Sequence, residues 1–277
     1  MTDQRRFPDL VCLGVQKAAT TWLYSRFNGR PGIFVPPIKE LHYLSGLCYP
    51  LAIRFAARHR AAQANAALEY WRGVPDHNPL KSSKVAQCEH LLEEPVDDDW
   101  YAGVFEHASA DDVCVDIAPD YFTMPREGAE HVVSVCPSVK LLVILRDPID
   151  RTWSHMKMHF PPEKISAAVE ARQFDRSLAP FIEFSQYERA LTGWREVAPE
   201  GALLELMFDD VGTTPAESIQ RICDHAGIST KASFDGLETR SHVGRVADIP
   251  PLLYAEFLER LRPQYEFLAS DYPIAAE

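Results

Sequence analysis

Two almost unbroken apolar runs organise the chain, Leu10-Val11-Cys12-Leu13 and Val139-Lys140-Leu141-Leu142-Val143-Ile144-Leu145. Runs of this length without alternation mark strands buried on both faces. Ile33-Phe34-Val35, Val113-Cys114-Val115 and residues 202–207 read as further strands. Between them the apolar spacing lengthens to three and four, which predicts helices over residues 20–28, 148–159, 181–196, 215–226 and 252–268. Strands alternating with helices give an α/β class: a mostly parallel central sheet flanked by helices on both faces. Residues 46–110 interrupt the alternation as a helical insertion, with an Ala- and Arg-rich helix over 51–70 and Asp97-Asp98-Asp99 as a polar turn or helix start. The chain, 1–277, reads as one domain.

The strand ends carry the chemistry. Leu13 runs into Gly14-Val15-Gln16-Lys17-Ala18-Ala19-Thr20-Thr21-Trp22, which opens a helix. A strand that ends in small residues and enters a helix aims free N–H groups and the positive end of the helix dipole at one point, a site for phosphate or sulfate. Lys17 adds a mobile positive charge. A nucleotide-triphosphate P-loop would end in Gly-Lys-Ser/Thr, with the hydroxyl on magnesium, and here Ala19-Thr20 stands in place of Gly-Lys.

The loop resembles the 5′-phosphosulfate loop of sulfotransferases that use 3′-phosphoadenosine 5′-phosphosulfate (PAPS), written Gly-x-x-Lys-x-Gly-Thr-Thr, with Ala19 in place of the second glycine. The resemblance assigns Lys17, Ala18, Ala19, Thr20, Thr21 and Trp22 to the cosubstrate. It extends to Arg146-Asp147-Pro148-Ile149-Asp150-Arg151-Thr152-Trp153-Ser154, which follows the second apolar run. In the family an arginine at the strand end and a serine eight residues on hold the 3′-phosphate; Arg146 and Ser154 have that spacing. A guanidinium fork suits phosphate oxygens, and Pro148 pre-shapes a first helical turn.

Lys39-Glu40-Leu41-His42-Tyr43, after the turn-forming Pro36-Pro37, looks like the Lys-Glu-x-His-aromatic segment of glycan-type sulfotransferases. The resemblance makes Glu40 the general base, with Lys17 neutralising the leaving oxygen. His42 is the rival base, since its ordinary pKa lies closer to neutral. Asp116-Ile117-Ala118-Pro119-Asp120-Tyr121 is similar to the family's Glu-Lys-(Ser/Thr)-Pro-x-Tyr segment at Asp116, Pro119 and Tyr121. Ile117 departs from it where glycan-modifying members carry a lysine, which counts against an anionic polysaccharide acceptor. Gly244 and Arg245 fit a C-terminal loop that wraps the 3′-phosphate and adenine. Tyr187 and Trp194, in a segment like the family's Tyr-x-x-x-Leu-x-x-Trp helix, have core spacing.

The resemblance implies transfer of a sulfuryl group from PAPS to a hydroxyl of a small molecule, lipid or glycan, with release of adenosine 3′,5′-bisphosphate (PAP) and no metal required. Two other classes stay open. A P-loop kinase or NTPase would need magnesium and the missing loop end, and a non-catalytic nucleotide-binding protein would have no use for Lys17, Glu40 and His42 together.

Charge and cysteine content narrow the setting. Lys plus Arg is 28 against 40 Asp plus Glu, a net charge of −12 that disfavours nucleic acid and heparin-like acceptors. A local basic pocket of Lys17, Arg146, Arg151 and Arg245 remains compatible with that surface. No apolar stretch approaches the length of a membrane span, and six cysteines without a Cys-x-x-Cys pair read as free thiols, so the expected location is cytoplasmic. His155 and His159 are four apart on a predicted helix, a spacing zinc sites use, but no glutamate or third ligand accompanies them and they read as part of a partly buried helix. An insertion directly after the candidate base, together with residues 161–166, is expected to form the acceptor pocket or its lid. Oligomeric state is not legible.

Overall fold

Each long apolar run becomes a strand at the centre of one sheet. In the computed structural model, which describes residues 5–170, 175–229, 234–239, 247–272 and 274, five strands form: β1 (Leu10–Gly14), β2 (Ile33–Phe34), β3 (Val113–Ile117), β4 (Lys140–Leu145) and β5 (Leu203–Met207). Their order is β2-β3-β1-β4-β5 and every pairing is parallel. β1 is buried at all five positions and β4 at five of six, as strands covered on both faces must be.

Thirteen helices surround the sheet among the described residues. In chain order they are α1 (Thr20–Phe27), α2 (Tyr43–Cys48), α3 (Pro50–Gly73), α4 (Lys81–His90), α5 (Asp98–Phe105), α6 (Arg126–Val135), α7 (Pro148–His159), α8 (Pro162–Glu170), α9 (Asp175–Glu183), α10 (Tyr187–Val197), α11 (Phe208–Thr213), α12 (Pro215–Ala226) and α13 (Pro251–Leu268). The insertion supplies the end of α2 and all of α3 to α5, and the aspartate run starts a helix as expected: the Asp97 side chain caps α5 by accepting from the Trp100 N–H at 2.9 Å.

One predicted helix divides. Residues 181–196 are the end of α9 and most of α10, broken at Phe184-Ser185-Gln186. Ser185 is fully buried there and accepts from Arg151 Nε at 2.6 Å, so a tertiary partner takes the serine that periodicity alone leaves inside a helix.

The core has two parts. The larger packs α1, α2, α5, α6, α10 and α12 on the sheet; the smaller joins α7, α8, α9 and α13 through Trp153, Met156, Leu178, Phe257 and Leu261. All six cysteines are unpaired, and no described helix is long and apolar enough to cross a membrane.

In the strand order, β1 is the point where successive connections leave in opposite directions, β2 and β3 on one side and β4 and β5 on the other. The carboxyl end of such a strand opens into a crevice, the usual ligand position in an open α/β sheet.

Candidate active site

The loop after β1 sits at that crevice. Gly14 has φ +120°, and a Cβ there would lie 2.6 Å from the Pro119 carbonyl oxygen, so only glycine lets the segment after β3 close over the end of β1. Lys17 and Ala19 also take left-handed backbone, at φ 71° and 59°. Ala19 therefore occupies, at a steric cost, the conformation that explains why glycine is the usual residue at its place.

No side chain caps α1, so the first helical N–H groups, from Thr20, Thr21 and Trp22, point out of the helix without an intrahelical partner. Two loop residues also make contacts within the protein. The Ala18 N–H bonds the Val15 carbonyl inside the loop at 3.1 Å. The Trp22 ring is buried and its indole N–H bonds the Leu237 carbonyl at 3.0 Å, which anchors the side chain to that segment.

Arg146, at the end of β4, reaches this loop: Nη1 donates to the Lys17 carbonyl at 2.9 Å, and Nη2 lies 3.8 Å from Asp150. Its guanidinium lies over the Phe208 ring at 4.5 Å, its carbonyl accepts from the Tyr187 hydroxyl at 2.9 Å, and its Nε is buried with no hydrogen-bond partner. Ser154 is half-buried two turns into α7, a helix capped by Asp147 and begun at Pro148 as the sequence predicts. Burial, and then the charges of Arg146 and Lys39, push the Lys17 ammonium below its ordinary range. Its Nζ lies 3.7 Å from Met158 Sδ.

Arg151 does not join the basic pocket. It is fully buried and bonds Ser185, Thr152 at 3.2 Å, His155 at 3.3 Å and the Phe181 carbonyl, so it braces α7 against α9. Burial lowers its pKa to about 10. The same burial, with the charge of Arg151, holds His155 near 3 and thus neutral, packed on Phe181 and Phe184. Gly244 and Arg245 lie outside the described residues.

Glu40 and His42 form the third element, both in left-handed backbone at φ 67° and 53°. His42 is 5% exposed; its Nδ1 lies 2.8 Å from Asp120 Oδ2, and its Nε2 lies 3.5 Å from Glu40 Oε2, an ion-pair contact longer than a formed hydrogen bond. Lys39 pairs closely with the other Glu40 oxygen. Burial alone would raise the Glu40 carboxyl and lower the His42 imidazole, but the charges reverse both: His42 and Lys39 take Glu40 to about 2, and Asp120 and Glu40 take His42 to about 9. At neutral pH His42 is then an imidazolium beside an ionised Glu40.

Sequence reasoning missed Asp120 and His59. Asp120 stands at the variable position before Tyr121, and its 78-residue separation from His42 leaves no spacing signal. His59, on α3, brings its ring to 4.9 Å from that of His42 and stacks on Phe55. Asp116 is structural: it is buried and accepts from Tyr101 at 2.9 Å and Tyr121 at 3.0 Å, with burial raising its pKa to about 6.

The comparisons agree with this geometry. The chain is 23% identical over 171 residues to mouse (Mus musculus) heparan sulfate glucosamine 3-O-sulfotransferase 6, covering 59% of this chain and 48% of that protein. Mouse heparan sulfate glucosamine 3-O-sulfotransferase 3B1 is 23% identical over 136 residues, 47% of this chain and 35% of that protein. The chain thus spans about half or less of the length of these curated relatives. A sulfotransferase from Alicyclobacillus acidocaldarius shares the fold, with a TM-score of 0.65 at 18% identity over 95% of this chain and 94% of the other. So does the sulfotransferase domain of the Synechococcus PCC 7002 olefin synthase, with a TM-score of 0.61 at 17% identity over 98% of each. The sequence profile of the Sulfotransferase family matches residues 8–232, most of the chain and every element of the crevice described above, and the protein belongs to that family.

Proposed function

We propose that the chain transfers the sulfuryl group of PAPS to an uncharged hydroxyl on an apolar acceptor, releasing PAP. The observation that carries this reading is the convergence at the β1 crevice: an uncapped helix start and Lys17, with Arg146 bonded to the Lys17 carbonyl and Glu40 ionised nearby. Thr20, Thr21 and Lys17 hold the phosphosulfate, while Arg146 and Ser154 take the 3′-phosphate. Arg245 and Gly244 belong to the same reading as contributors to the 3′-phosphate and adenine.

Sulfuryl transfer resembles phosphoryl transfer in asking little covalent work of the protein; positioning and charge stabilisation dominate. Lys17 stabilises the negative charge that builds on the leaving phosphate oxygen. A carboxylate near 2 is a weak base for a free alcohol, but the acceptor proton becomes strongly acidic as its oxygen bonds to sulfur, and an ionised Glu40 then accepts it. His42, raised to about 9 by its carboxylate neighbours, is mostly protonated at neutral pH and is the poorer base; in this reading it orients Glu40. This reading therefore favours Glu40 over His42 as the base. No step calls for a metal.

Three features support an apolar acceptor. Ile117, buried, stands where glycan-modifying relatives are expected to carry a lysine. Phe55, 60% exposed, lies 5.5 Å from the His42 ring. Met158, 54% exposed, adjoins Lys17. Large apolar side chains exposed around a charged centre are the ordinary lining of a small-molecule or lipid site. The insertion, through Phe55 and His59 of α3, is then the acceptor-facing element. A cytoplasmic setting fits six unpaired thiols and remains part of the proposal.

The test is PAP release from PAPS in the presence of either long-chain alcohols or N-sulfated glycans. Turnover with the alcohols supports the reading; turnover confined to the glycans would overturn the acceptor class, and release with neither would remove the enzymatic reading.

A further inference from the structure

Glu40, His42 and His59 each offer a ligand atom, and those atoms lie within 4.8 Å of one another. The separation of Glu40 Oε2 and His42 Nε2, 3.5 Å, is close to the roughly 3.4 Å between ligand atoms of tetrahedral zinc with bonds near 2.05 Å. A His59 ring nitrogen lies within 4.8 Å of both, in reach of the third corner.

Two further observations point to a cation. His42 Nε2 is buried and has no hydrogen-bond partner, although the side chain is more than nine-tenths buried. The outer contacts are also those of metal-bound histidines, which give their second ring nitrogen to a carboxylate or a backbone carbonyl. His42 gives Nδ1 to Asp120. Lys39 meanwhile holds Oε1 of Glu40, leaving Oε2 turned toward the two rings. Two imidazoles and one carboxylate with an open fourth position suit zinc better than magnesium or calcium.

We propose that Glu40, His42 and His59 bind a zinc-class divalent cation, with Asp120 orienting His42, and that the bound ion shuts off transfer by occupying Glu40. On binding, the ion takes the Nε2 lone pair and any ring proton leaves to solvent; nothing is oxidised or reduced. The site is a control point rather than a cofactor site, because the ligand it takes is the carboxylate the reaction needs. The inhibitory part rests on the transferase reading above, while the binding part does not.

The experiment titrates zinc chloride into EDTA-stripped native chain, His59→Ala and Asp120→Asn, followed by calorimetry, with PAP binding measured on each as a check of fold. One zinc per chain is expected in the native protein, weakened at least about tenfold in either variant, with PAP affinity unchanged. Zinc should stop native turnover, and whatever turnover His59→Ala retains without zinc should resist it. Zinc affinity equal in native chain and His59→Ala, or no binding at high micromolar zinc, would overturn the site. Binding that depends on His59 but leaves an active enzyme uninhibited would overturn the control role. If no transfer occurs at all, the binding arm still decides the site and the failure belongs to the transferase reading.

Discussion

Arg146 donates a 2.9 Å hydrogen bond to the carbonyl of Lys17, tying the end of β4 to the loop after β1. The bond holds the loop at Lys17, in left-handed backbone at φ 71°, and the Arg146 Nε stays buried and unpaired. One side chain thus shapes the loop and presents charge to a ligand. Arg146→Ala should weaken PAP binding by about 10- to 100-fold, the range of one or two charge-assisted hydrogen bonds, as read by calorimetry. An unchanged affinity would remove Arg146 from the phosphate site.

Glu40→Gln keeps the shape of the side chain and removes its negative charge. Turnover should fall by roughly 10²- to 10⁴-fold while PAP affinity stays within about twofold. Equal loss of binding and turnover would mean that Glu40 holds the loop rather than takes the proton.

Backbone strain in the β1 loop predicts opposite effects at two neighbouring positions. Ala19→Gly relieves a left-handed alanine and should stabilise the fold by up to about 1 kcal/mol, net of the extra freedom glycine has when unfolded. Gly14→Ala puts a Cβ 2.6 Å from the Pro119 carbonyl at φ +120° and should cost about 2–4 kcal/mol. Urea midpoints of the two variants check both signs.

His42 gains its carboxylate partners on folding, and its pKa rises from an ordinary 6.5 to about 9. Its contribution to stability is therefore complete below about 6.5 and is lost as the pH rises through 9. The stability difference between native chain and His42→Gln should shrink from about pH 6 to about pH 10, measured by urea unfolding. A difference that does not change with pH over that range would show that His42 is not held protonated.

The sheet was legible because β1 and β4 are long enough in apolar residues to announce burial on both faces. Lys17, Arg146 and Glu40 were legible because each stands beside a strand end or turn with its own local spacing. Tyr187 and Trp194 read as packing and are buried, though Tyr187 also holds the Arg146 carbonyl. Asp120 and His59 acquire their places only when β3 and α3 converge on His42, and local periodicity carries no trace of such an approach. Arg151 misled for the opposite reason. A charged residue on a helix that starts at a phosphate site reads as a ligand, and nothing local reveals that Ser185 and the Phe181 carbonyl will surround it.

The central claim is that the β1 crevice binds a 3′-phosphorylated adenosine nucleotide without a metal. Calorimetric titration of the native chain with PAP in EDTA, beside ATP with and without magnesium, tests it directly. The account predicts tight, magnesium-independent PAP binding and weak ATP binding; a preference for magnesium-ATP would contradict it.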